Sequence, residues 1–113
     1  VRDTTLMLTK KTLIVYIAGP ISDVENGNRE AFFRAEQLLK QLGHIVLNPH
    51  CLPVGLTEFQ YMDICLAMLR SADAIYLLDN WQNSSGAIVE FELAKKLGLP
   101  EITGDTLPPD PPY

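Results

Sequence analysis

A chain of 113 residues with 47% hydrophobic and 20% charged side chains suffices for one domain with one modest core. Its formal charge of −5 argues against a nucleic-acid polymer as partner, yet leaves a small anionic ligand open, because backbone N–H groups at a helix start hold phosphate without Lys or Arg. The cysteines, Cys51 and Cys65, show no zinc-ligand spacing, so neither metal nor cofactor is expected, and two reduced thiols in a cytoplasmic protein are favoured over a disulfide.

Residues 1–11 read as an N-terminal arm. Lys10-Lys11 before an apolar run looks like a short signal peptide. Gly19-Pro20 breaks that run, however, and neither it nor any later stretch is long enough to span a membrane. Residues 13–18 are a continuous apolar run rich in β-branched and aromatic side chains, the pattern of a strand covered on both faces. After a polar loop, Asn28 stands as cap of a helix whose stripe is Ala31, Phe32, Ala35, Leu38, Leu39 and Leu42, stopped by Gly43. A short second strand follows over 44–47 and closes at Asn48-Pro49. Thr57-Glu58-Phe59-Gln60 matches a capping box for a second helix running to about Ala72. That helix is apolar almost all round, which implies burial on more than one side and, in so small a domain, cover by a second copy. Residues 74–78 form a third strand, residues 79–83 a loop, and a third helix runs from Ser84 or Ser85 to about Leu97, with Gly98 as its stop. Residues 99–103 add a short fourth strand, and 104–113 form a Pro-rich tail unsuited to helix or sheet.

Apolar strands alternating with helices predict one α/β domain over 12–103. The expected architecture is three-layer and flavodoxin- or Rossmann-like, a parallel sheet of four to five strands in the order 2-1-3-4. Such sheets bind ligands at the carboxyl ends of their strands, where the winding reverses. That edge gathers Gly19, Pro20, Ile21 and Ser22, then Asn48, Pro49 and His50, then Asp79 through Gly86.

On the third helix, Glu90 falls inside the apolar arc of Ala87, Phe91, Ala94 and Leu97. A buried carboxylate needs a partner or a cleft to offset its desolvation. It therefore stands as the foremost catalytic candidate, the plain alternative being a glutamate bonded to the backbone or to a buried tyrosine such as Tyr16. Ser84 and Gly86 open the same helix, where free N–H groups suit a phosphate or sugar hydroxyl; a simple N-cap explains them equally. Gly19 permits close approach of a ligand or merely a turn, and no GxGxxG or P-loop motif is present. Asp63 lies near the ligand edge on a face that also suits solvent, and Trp81 either stacks on a base or covers the sheet edge. His50 beside Cys51 makes no nucleophile pair, for want of an orienting third group.

Tyr16-Ile17-Ala18-Gly19-Pro20-Ile21, then Asp63, then Ala72-Asp73-Ala74-Ile75, then Ser84-x-Gly86-x-x-x-Glu90-x-x-x-Ala94 together resemble the nucleoside 2-deoxyribosyltransferase superfamily. That group includes the deoxynucleoside 5′-monophosphate N-glycosidases, and the likeness is nearest to its short phage and bacterial branch of unassigned function. The resemblance implies that Glu90 attacks the anomeric carbon of the sugar, that Asp63 manages the leaving base and its proton, and that Tyr16 lies beside the nucleophile. It also implies that Ser84 and Gly86 face the 5′ end, and that a second copy completes the pocket of a homodimer or larger homo-oligomer. The monophosphate glycosidases carry an arginine-bearing loop after the first strand; here Ser22 stands in it, with no basic residue until Arg29. The expected function is cleavage or transfer at the N-glycosidic bond of a nucleoside or nucleotide, by a hydrolase or a transferase. The alternatives are a nucleotide or ADP-ribose-type binding module without turnover, and a phage-encoded interaction protein on the same fold.

Overall fold

The β-branched run after Thr12 forms β1 (Ile14–Ala18), buried from Val15 onward. It lies inside a parallel sheet with β2 (Ile45–Leu47), β3 (Ala74–Leu77) and β4 (Glu101–Ile102), in the order β2-β1-β3-β4 that the sequence predicts. The computed structural model describes residues 12–106. The N-terminal arm expected over 1–11 lies outside the described residues, as does the tail beyond Thr106; Gly104–Thr106, assigned to that tail, form a single 3-10 turn.

Strand alternation sorts the core into two layers. Tyr16, Ala18, Ile75 and Leu77 point to one face, where Cys65 and Leu69 of α2 (Glu58–Arg70) and Ala94 of α3 (Ser85–Leu97) meet them. Val15, Ile17, Tyr76 and Leu78 point to the other, against Phe32, Ala35 and Leu39 of α1 (Arg29–Gln41). Buried Asp73 ties the entry of β3 to that of β1: its carboxylate accepts from the Ile14 N–H at 2.9 Å, and its own N–H donates to the Ile14 carbonyl at 2.6 Å.

The helix ends follow local chemistry. The capping box of α2 is complete, with Gln60 N–H donating to Thr57 Oγ1 and Thr57 N–H donating to Gln60 Oε1. Gly98 ends α3 in the left-handed conformation that glycine adopts without steric cost. Asn28 departs from expectation: it occupies the cap position of α1, but its side chain makes no cap bond. The reason lies in the preceding loop, where Asn26, Gly27 and Asn28 are left-handed in succession and turn the Asn28 side chain away from the helix start. The apolar α2 buries only Cys65 and Leu69 within this chain, while Phe59 is 86% exposed.

Leu39, fully buried under the sheet, and Phe59 on the open side of α2 give a direct contrast. Leu39→Ala is expected to lower unfolding free energy by about 2–5 kcal/mol, and Phe59→Ala by less than about 0.5 kcal/mol in the isolated chain. Urea unfolding followed by circular dichroism checks both.

Candidate active site

The first turn of α3 reaches the carboxyl edge of the sheet because Ser84 caps it there, its Oγ accepting from the Ala87 N–H at 3.2 Å. One turn further on, Glu90 is 6% exposed, and its Oε2 accepts a hydrogen bond from the Tyr16 hydroxyl at 2.5 Å. Burial pushes the Glu90 carboxyl up to about 7, against the opposing pull of the Tyr16 bond. Burial also pushes the Tyr16 phenol far above its ordinary range, with the Glu90 charge adding to the rise. Cys65 stands against both Tyr16 and Tyr61, and burial raises its thiol to about 11. Such a thiol is inert at neutral pH. Cys51 and Cys65 are both free.

Glu90 and Tyr16 open onto a cavity of about 200 Å³ at the strand ends. Of the residues singled out in the sequence, Gly19, Ile21, Ser22, Ser84 and Gly86 line it as well. Gly19 is required for packing: a Cβ there would stand 2.7 Å from Leu78 Cδ1. Pro20 and Asp79 instead line an adjoining pocket of about 500 Å³, which shares Ser22 with the first.

Three further expected site residues line neither pocket. Asp63 is exposed. Trp81 packs on Phe91, ring centroids 4.5 Å apart. The Asn48 side chain is engaged on both ends, accepting from the His50 N–H at 2.9 Å and donating to Glu36 at 3.2 Å.

Pro49, expected at the ligand edge, lines the cavity too, while sequence reasoning missed Asp23, Phe32, Glu58 and Tyr61, which also line it. Tyr61, Cys65 and Leu69 recur at four-residue spacing on the inward face of α2, a stripe that the apolar residues on the other faces of the helix conceal in the sequence. His50 supports the cavity from behind. Its Nε2 lies 2.7 Å from the Gly27 carbonyl, and its ring meets Phe32 edge-on at 4.9 Å.

Among the described residues, no group of three or more His, Cys, Asp or Glu is placed to hold a metal ion. No helix among them is long and apolar enough to cross a membrane. The arrangement therefore offers a poised carboxylate, a phenol that donates to it, and the free N–H groups of a helix start.

A family model described as a domain of unknown function, DUF4406, matches residues 13–103. Among solved structures, the chain is similar to a 2-deoxyribosyltransferase from the psychrotolerant bacterium Bacillus psychrosaccharolyticus, described as a biocatalyst for nucleoside synthesis. The TM-score is 0.63 at 25% identity, over 80% of this chain and 70% of that one. No curated protein matches.

The raised Glu90 pKa has a consequence for stability. Between the ordinary carboxyl value of 4.5 and about 7, the folded chain holds a proton at Glu90 that the unfolded chain has lost. Stability from this group is therefore full below pH 4.5 and falls as pH rises to about 7. The loss is on the order of 3 kcal/mol. Glu90→Gln is expected to unfold at higher urea than the parent at pH 8 and close to it at pH 4.5, a difference read directly from paired urea titrations.

Proposed function

The chain belongs to the DUF4406 family of unknown function, and we propose that it cleaves or transfers at the N-glycosidic bond of a nucleoside or nucleotide, with Glu90 as nucleophile. The observation that carries this reading is a carboxylate buried at the ligand edge of an α/β sheet, held by one phenol, with its pKa near neutrality. The likeness to a 2-deoxyribosyltransferase supports glycosyl transfer as the reaction class.

In this reading the sugar occupies the Glu90 cavity. A Glu90 oxygen attacks C1′, the C1′–N bond breaks, and the bonding pair leaves with the base, which takes up a proton. That proton comes from water, which is left as hydroxide; Glu58, which lines the cavity where Asp63 does not, accepts a hydrogen bond from this water and orients it toward the base. Water or a second base then attacks C1′ of the glycosyl ester and frees the carboxylate. The Tyr16 hydroxyl holds Oε2 and leaves Oε1 to the sugar.

A second reading, a nucleoside-binding module without turnover, is favoured by one observation. Among the described residues, every fully buried side-chain nitrogen and oxygen is hydrogen-bonded, so folding tolerates Glu90 without any reaction.

Incubation with deoxynucleosides and their monophosphates, with free base quantified, separates the readings; binding without release from any of them removes the enzymatic one. Glu90→Ala is expected to lower base release by roughly a thousandfold or more while the fold persists. Attack requires the ionised carboxylate, so kcat/KM is expected to rise with pH through about 7. Tyr16→Phe removes the bond that favours ionisation and is expected to move that limb to higher pH.

A further inference from the structure

The larger pocket beside the Glu90 cavity lies on the opposite face of the sheet. There α1 packs mainly over β2 and β1, which leaves the outer end of β3 open. Its floor is Tyr76, a residue only 7% exposed. The Tyr76 hydroxyl points toward the pocket rim, 3.6 Å from where a Cβ on Gly104 would stand, and has no hydrogen-bond partner among the described residues. No fully buried side-chain oxygen among the described residues lacks a partner, so the hydroxyl is the part of this buried side chain that reaches solvent, and it does so in the pocket. Around it stand Asp23, Asp79, Asn80 and Asn83, and the Tyr76 phenol is pushed up by burial first and then by the charges of Asp79 and Asp105.

Two further facts bear on what the pocket takes. Small-ligand sites usually span about 300–1,000 Å³. The Glu90 cavity, at about 200 Å³, holds a sugar and little more, whereas the two volumes, which share Ser22, Asp23 and Asn83 in their linings, together fall well inside that range. In addition, among the described residues no Lys, Arg or His lines either volume, while Asp23, Glu58, Asp79 and Glu90 do. The start of α3 contributes roughly half a positive charge, which is outweighed by whole carboxylates facing the same space.

We propose that the Tyr76–Asp79–Asp23 pocket is a second ligand subsite, contiguous with the Glu90 cavity, that takes an uncharged or cationic group rich in hydrogen-bond donors and turns away phosphate. It rests on the reading that the Glu90 cavity holds the sugar, and it narrows the ligand of the whole cleft to a nucleoside rather than a nucleotide. Carboxylates accept from hydroxyl and amino groups and repel a phosphate dianion, and the unpartnered phenol donates to or accepts from the same group.

The test is calorimetric titration of the full chain with the four 2′-deoxynucleosides and their 5′-monophosphates, base release being followed in the same samples. At least one deoxynucleoside is expected to bind, with its monophosphate about tenfold weaker or more. Tyr76→Phe is expected to weaken nucleoside binding by about threefold to tenfold. Asp79→Asn, at an exposed position that folding tolerates, is expected to weaken the nucleoside and improve the monophosphate, narrowing the gap. Monophosphates that bind as tightly as nucleosides, absence of nucleoside binding, or parent-like affinities in both variants would each overturn the subsite. Nucleoside binding that responds to both variants without base release upholds the subsite and removes the enzymatic reading. Base release with unresponsive variants does the reverse.

Discussion

The Tyr16 hydroxyl donates to Glu90 at 2.5 Å across the junction of the sheet and α3. A carboxylate taken out of water without a partner destabilises a fold by several kcal/mol, so this bond is what allows α3 to carry Glu90 on its inward face. Tyr16 is available because β1 lies inside the sheet with its even-numbered side chains turned toward α2 and α3. Once Glu90 is pinned, the roll of α3 against the sheet is fixed, and the Ser84-capped first turn is carried to the mouth of the cavity. The same bond therefore governs packing and the composition of the candidate site.

Much of this was legible in the sequence because it depends on periods that a chain cannot hide. The run after Thr12 and the run from Ala74 are too short for helices and too apolar for loops, and they became β1 and β3. Glu90 stood out because a helical wheel locates a charge relative to its neighbours without reference to the rest of the fold. The less legible residues are those whose placement depends on a rotation or a distant partner. On α2 apolar side chains occur all round, so the pattern did not say which stripe faces inward; the structure turns Tyr61 and Cys65 in and leaves Asp63 out. Trp81 met a partner ten residues ahead, Phe91, that only the path of the intervening turn could bring to it. For Asn48, a sequence does not disclose that His50 and Glu36 engage both ends of its amide.

The strand order explains why there are two adjoining pockets rather than one. Helices α2 and α3 cover one face of the sheet and α1 the other, so the crevice at the strand ends opens differently on each side. On the α3 side it is narrow and contains the poised carboxylate; on the α1 side it is wide, because α1 stops short of β3. The loop after β1 passes between them, and Ser22 and Asp23 belong to both walls.

That loop is held in one shape by its backbone as well as by its contacts. Asp23, Asn26, Gly27 and Asn28 all take left-handed conformations, and His50 anchors the Gly27 carbonyl at 2.7 Å. Only Gly, Asn and Asp occupy such conformations at modest cost, so the chain has few other ways to draw this path. The entropy of ordering the wall between the pockets is thus met when the protein folds. A ligand entering either side encounters a surface already in place, and more of its contact energy appears as affinity.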